Sequence, residues 1–146
     1  MSDFSQRPLN KVIGLSGARL MAIGLLTGLW SAAALTGKVT LTIPRLALVA
    51  HLNALLGGLW LLALASTVQY LGHNESRVRK IYRWIQIPAW SNWAITLLAS
   101  MLGVTGLTYT EDTTNNVIAF LLQVCVVVPS LVGATLWVRG FSRDEA

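Results

Sequence analysis

The sequence predicts an all-α integral membrane protein, a bundle of four transmembrane helices with both termini on the cytoplasmic side. Three observations carry that prediction. Hydrophobic residues make up 54% of the 146 positions and charged ones 12%, about half the charged share of a typical soluble domain. Four long apolar stretches alternate with short polar ones. The basic residues collect in every other polar stretch, the asymmetry that orients a chain in a bilayer.

A helix needs about 20 mostly apolar residues to cross a hydrocarbon core about 30 Å thick. The first candidate span covers 20–35, with Arg19 placed to snorkel toward the interface. The second covers 46–70, introduced by Pro44 and Arg45, the third 84–107 and the fourth 117–138. Together they make one transmembrane domain over 1–146. Helices are required because lipid offers no partner to an open backbone, and four segments are too few to close a barrel.

Arg7, Lys11 and Arg19 precede the first span, Arg77, Arg79, Lys80 and Arg83 separate the second from the third, and Arg139 and Arg143 follow the fourth. The opposite side holds Lys38, Arg45, Glu111 and Asp112. The net charge of +5 therefore follows the topology and forms no basic groove, so no nucleic-acid partner is expected. The N-terminus lacks the basic-then-apolar layout of a cleaved signal peptide, and the first apolar segment is expected to be retained. The lone Cys125 lies in an apolar run and has no internal disulfide partner.

Small residues recur where helices can touch: Gly24 with Gly28, Gly57 with Gly58, and Gly103 with Gly106. Pro88 is expected to kink the third span and free a carbonyl near Trp84, and Pro129 to kink the fourth. Trp84 and Trp137 suit an interfacial belt, as does Tyr109, while Trp60 and Trp93 lie deeper and need a partner for each indole N–H. Gln123 is placed to pair across the bundle.

One ionisable side chain, His51, falls inside a span, and such residues are functional candidates by default. It follows Arg45 by six residues, roughly 9 Å along a helix. Two readings stand side by side. In one, His51 ligates a metal; in the other, it hydrogen-bonds a neighbouring helix and only packs. For a metal, haem fits better than zinc, since zinc sites take three or four protein ligands and the only other histidine and the only cysteine are His73 and Cys125. A haem needs a single axial ligand. His51, Ala54, Leu55, Gly58 and Leu62 share one helix face. That face is small beside the histidine and is expected to leave room for a flat macrocycle. Asn53 and Gly57 point nearly the opposite way, so a pocket holding both His51 and Asn53 is expected only between protomers.

Asn92 and Thr96 lie one turn apart on the third span, near Gln86, Ser91 and Ser100. Their simplest reading is interhelical hydrogen bonding; the functional one makes Asn92, Asn53 and Thr96 the candidate catalytic contacts to a substrate. No pair of carboxylates lies within a span, which argues against a proton pump or ion-coupled transporter.

The stretch RLALVAHLNALLGGLWLLALA at 45–65 resembles the second span of a family of small four-helix membrane isomerases that includes hydroxylaminobenzene mutase and styrene oxide isomerase. The similarity continues through Trp90-Ser91-Asn92-Trp93 and into the proline-containing fourth span with its basic tail. The resemblance implies a homotrimer in the bacterial inner membrane, with haem b at the subunit interfaces and His51 as axial ligand. Ferric iron would act there as a Lewis acid, with no external electron consumed. This chain departs from the epoxide-isomerising branch at three places: Gly57 stands where that branch has asparagine, Thr96 where it has tyrosine, and Pro88 where it has an acidic residue. The iron ligand is kept while the groups that orient an epoxide are not. The expected substrate is therefore a small aromatic hydroxylamine rearranged to an aminophenol, with an epoxide-to-aldehyde isomerase as the alternative. A haem-binding electron-transfer or sensing subunit is a further alternative, against which stands the lack of a second histidine in a span.

Overall fold

The computed structural model describes residues 8–71 and 75–141; Arg7, His73 and Arg143 lie outside them. The described residues form helices and connecting turns, with no strand. The helices are α1 (Leu9–Leu35), α2 (Pro44–Thr67), α3 (Glu75–Leu102), α4 (Thr113–Leu122) and α5 (Val128–Phe141). A short 3-10 turn (Val68–Tyr70) extends α2, and a π-helical turn (Gln123–Val127) joins α4 to α5 into one long helix. Three helices are long and apolar enough to cross a membrane: Leu9–Leu35, Pro44–Tyr70 and Thr113–Phe141. α3 has comparable length but falls short in apolarity: Glu75, Arg77, Arg79, Lys80 and Arg83 charge its first turns, and Gln86, Ser91 and Asn92 interrupt the uncharged remainder.

Local chemistry sets the ends. Pro44 occupies the first turn of α2, where a missing N–H costs nothing. Asp112 caps α4 by accepting from the Thr114 N–H at 2.8 Å. Gly103 stops α3 with φ +70°, and Gly106 turns the following loop with φ +63°, conformations that other residues resist. The third helix therefore runs 75–102 in place of the expected 84–107. Its charged start, expected as loop, is helical, and Gly103 and Gly106 are turn residues beyond the helix that still allow close approach, to Thr42 and to Ile118 respectively. α1 likewise begins 11 residues before the expected start at 20, because nothing between Pro8 and Arg19 breaks a helix.

Chain neighbours are space neighbours: α1 packs on α2, α2 on α3, and the long fourth helix mainly on α3. The α1–α2 contact is close enough to exclude side chains. A Cβ on Gly17 would lie 2.9 Å from the Gly58 carbonyl oxygen, and one on Gly58 2.9 Å from that of Gly17, so the backbones themselves meet. Between α1 and α3, tryptophans bridge the gap: Trp90 Nε1 donates to Ser16 Oγ at 3.1 Å and Trp93 Nε1 to Thr27 Oγ1 at 3.0 Å. Around them Leu20, Leu61, Leu64, Ile81 and Ile85 form the main core.

Both intrahelical prolines are absorbed without a break. α3 continues through Pro88. The proline leaves the Trp84 carbonyl without its helical donor, and Gly133 of α5 lies over that carbonyl. Before Pro129 the fourth helix widens, with the Val128 N–H bonding the Gln123 carbonyl across a π turn. Gln123 does not pair across the bundle: it is exposed, and its Oε1 accepts from Tyr109 Oη at 3.3 Å. Trp137 joins the ends of α5 and α2 by donating to Thr67 Oγ1 at 3.2 Å.

Candidate functional site

Two polar clusters lie in the middle of the bundle, and α2 separates them. On the α1 side, the ring of half-buried His51 lies against α1. Its Nδ1 is 2.7 Å from the carbonyl oxygen of Gly24. A carbonyl oxygen only accepts, so Nδ1 carries the hydrogen and donates it. In the neutral imidazole this leaves Nε2 with a free lone pair, and no hydrogen bond engages it among the described residues. An imidazole fixed through Nδ1–H to a backbone carbonyl, with Nε2 bare, is the arrangement of a metal-ligating histidine.

The helix surfaces on either side of His51 are apolar. Leu25, three residues before Gly28 on α1, is 63% exposed, and Leu48, three before His51 on α2, is 37% exposed. The exposed apolar surface therefore lies outside the α1–α2 contact. This corrects the expectation for Ala54, Leu55 and Gly58, which do not offer a free face. Ala54 and Gly58 are buried, and Leu55 reaches into the same contact. A Cβ on Gly24 would meet Ala54 Cβ at 2.9 Å and Leu55 Cδ2 at 3.1 Å, while Gly58 faces Gly17. Their small size serves helix approach. Of this stripe His51, Leu55 and Leu62 stay half-buried, and His51 alone among them carries a polar group.

On the α3 side, Asn53, Asn92 and Thr96 come together. Asn53 Nδ2 donates to Asn92 Oδ1 at 3.1 Å and to Thr96 Oγ1 at 3.0 Å, and Thr96 Oγ1 lies 3.5 Å from Asn92 Oδ1. Thr96 is buried, while both asparagines are half-buried. The Asn53 carbonyl oxygen and the Asn92 amide hydrogens keep unused capacity, so the cluster presents one acceptor and one donor group toward the half-open side. It holds no acid or base. Asn53 is two residues from His51, close to the opposite side of α2, and one chain does not bring the two clusters into a single pocket.

Thr27 belongs to the same turn of α1 as Gly24 and Gly28. Its hydroxyl donates to the Ile23 carbonyl at 2.9 Å and accepts from Trp93. Trp90 and Trp93 meet edge to face with ring centroids 6.1 Å apart. The roles of Ser16 and Thr27 as indole acceptors were not legible in the spacing, since hydroxyls on α1 carry no sign of which helix they face. No group of three or more His, Cys, Asp or Glu side chains able to hold a metal occurs among the described residues.

The family model described as styrene oxide isomerase matches residues 9–142. The chain belongs to the styrene oxide isomerase family. No curated protein matches it. Membership in the styrene oxide isomerase family, with three apolar helices of membrane-crossing length, makes the chain a membrane isomerase in general terms. In this member of the styrene oxide isomerase family His51 is half-buried beside α1, and Asn53 and Asn92 pair between α2 and α3.

Proposed function

We propose that the protein is a haem-dependent membrane isomerase that rearranges a small aromatic hydroxylamine to an aminophenol. It would work as a homotrimer in the bacterial inner membrane with both termini cytoplasmic. The observation that carries this reading is His51, tied through Nδ1 to the Gly24 carbonyl and bare at Nε2 on an apolar surface. Haem b would be held there through His51 as its single protein ligand, and a second chain would complete the site. A haem held there supplies a ferric Lewis acid for a substrate oxygen.

What this chain's residues contribute follows from their chemistry. Rearrangement breaks the N–O bond, returns oxygen to a ring carbon and moves a ring proton, so atoms and electrons balance within one molecule. The cationic aromatic formed on the way needs shelter from water, which the leucine-rich surface around His51 provides. An arylhydroxylamine carries both N–H and O–H donors and acceptor lone pairs, whereas an epoxide only accepts. Asn53 and Asn92, with one acceptor and one donor group spare, suit the former. Since α2 separates that pair from His51 in one chain, the amide cluster of one protomer would serve the His51 of the next.

A second reading, epoxide-to-aldehyde isomerisation, is favoured by the description of the matching family. One experiment separates these. Detergent-purified protein is examined for a Soret band, then assayed with phenylhydroxylamine and with styrene oxide. The proposal expects a Soret band absent from His51→Ala and turnover of the hydroxylamine at least tenfold faster. Faster turnover of styrene oxide would establish the second reading, and a colourless wild type would overturn both.

A further inference from the structure

His51 is accessible, but its orientation is not left to chance. A Cβ built on Gly28 would lie 2.9 Å from His51 Cε1, 3.0 Å from Nδ1 and 3.6 Å from Nε2. Its three nearest neighbours all belong to this one ring. The other tight glycines of α1 differ: Gly17 would meet the Gly58 carbonyl and Leu61, and Gly24 would meet Ala54 and Leu55. Those positions are small so that helices can approach. Gly28 is small so that an imidazole can lie against α1.

We propose that the turn from Gly24 to Gly28 is a positioning element for His51. Gly28 supplies the flat ground on which the ring rests, and the Gly24 carbonyl takes the Nδ1 hydrogen. The two act on the same edge of the ring. The Nδ1–Cε1 edge is held against α1, while Nε2 lies farther from position 28, at 3.6 Å against 2.9 and 3.0 Å, and keeps its lone pair. Holding a ligand histidine through its second nitrogen fixes both tautomer and ring plane, and loss of such support typically weakens metal affinity by about 10- to 100-fold. A methyl group at position 28 would push the ring off its carbonyl, and the ring would turn about χ1 or χ2 to escape. This inference rests on the proposed haem-binding role of His51 for its functional meaning, but the contact itself belongs to the protein alone.

The test is a double-mutant cycle of Gly28→Ala and His51→Ala in the full chain, with Gly17→Ala as the packing control. In protein loaded with haem, Gly28→Ala is expected to weaken haem retention about 10- to 100-fold and to alter the electron paramagnetic resonance signature of the ferric iron. Gly17→Ala should destabilise the fold while leaving the spectrum of the folded fraction unchanged. In haem-free protein, Gly28→Ala should lower the thermal midpoint when His51 is present and have no such effect in the His51→Ala background. Rescue of a poorly folding Gly28→Ala variant by His51→Ala would support the same contact. Wild-type haem affinity and spectrum in Gly28→Ala would overturn the proposal, as would equal effects of Gly28→Ala in both haem-free backgrounds. A wild type that takes up no haem would sink the functional reading while the haem-free cycle still decides whether Gly28 positions His51.

Discussion

Trp93 of α3 donates its indole hydrogen to Thr27 Oγ1 of α1 at 3.0 Å. Three residues further along α1, the buried Nε1 of Trp30 has no hydrogen-bond partner among the described residues. One turn of α1 thus holds a satisfied junction and an orphaned donor in the same apolar setting. Interhelical hydrogen bonds in membranes average about 0.6 kcal/mol, and an unsatisfied buried donor carries a desolvation cost of about 1–3 kcal/mol.

Replacing the two tryptophans by phenylalanine should therefore act in opposite directions. Trp93→Phe removes a bond, strands the Thr27 acceptor and should destabilise the protein. Trp30→Phe removes a donor that bonds nothing and should be neutral or stabilising. Thermal unfolding in a common detergent measures both. Thr27→Val combined with Trp93→Phe should cost less than the sum of the single changes, because both remove the same bond.

The Asn53 cluster separates a packing role from a chemical one. Asn53→Ala deletes two interhelical hydrogen bonds, to Asn92 and Thr96, and should cost about 1 kcal/mol at membrane values. If the spare amide groups orient the substrate, turnover should fall at least tenfold while the thermal midpoint moves by only a few degrees. A loss of turnover no larger than the loss of folded protein would return the cluster to simple helix pairing.

His51→Asn tests the two nitrogens of the histidine separately. The asparagine amide can place a donor near the position of Nδ1, facing the Gly24 carbonyl, yet it has nothing to reach outward as Nε2 does. Folding stability should stay within about 1 kcal/mol of wild type, and the Soret band should vanish. His51→Gln, whose amide nitrogen lies nearer the place of Nε2, should disturb the α1–α2 contact more.

Much of this arrangement was readable from residue type. Apolar length gave the helices, and an imidazole in hydrocarbon marked His51 without any structure. What could not be read was which helix each face meets. Gly28 and Gly103 look alike as small residues in spaced pairs, yet one cradles a ring within a helix while the other ends a helix at φ +70°. Ala54 and Gly58 beside His51 suggested an open face because periodicity shows that a stripe is small, not what fills it. Asn53 and Asn92 are 39 residues apart in sequence, and their pairing depends on the register between α2 and α3. The charged stretch from Glu75 to Arg83 suggested a loop, although a helix can continue past hydrocarbon into water.

Two glycines make the same point about register as a stability prediction. Gly14 on α1 and Gly133 on α5 both sit within helices, where alanine is intrinsically favoured by about 1 kcal/mol. A Cβ on Gly14 would meet only Ala65 Cβ at 3.8 Å, an ordinary contact. A Cβ on Gly133 would meet the Trp84 carbonyl oxygen at 2.9 Å and its carbon at 3.0 Å. That carbonyl is the one Pro88 deprives of its helical donor, so beside the Ile85 side chain, whose Cγ1 would also lie at 2.9 Å, the new methyl meets backbone that cannot turn away. Gly14→Ala should therefore raise the thermal midpoint. Gly133→Ala should destabilise by about 1–3 kcal/mol, the range for overpacking against atoms that cannot turn away. Its unfolding should begin where α5 leaves α3, read as faster hydrogen exchange around 128–141. If Gly133→Ala were as stable as wild type, the close approach of α5 to the Trp84 carbonyl would be wrong.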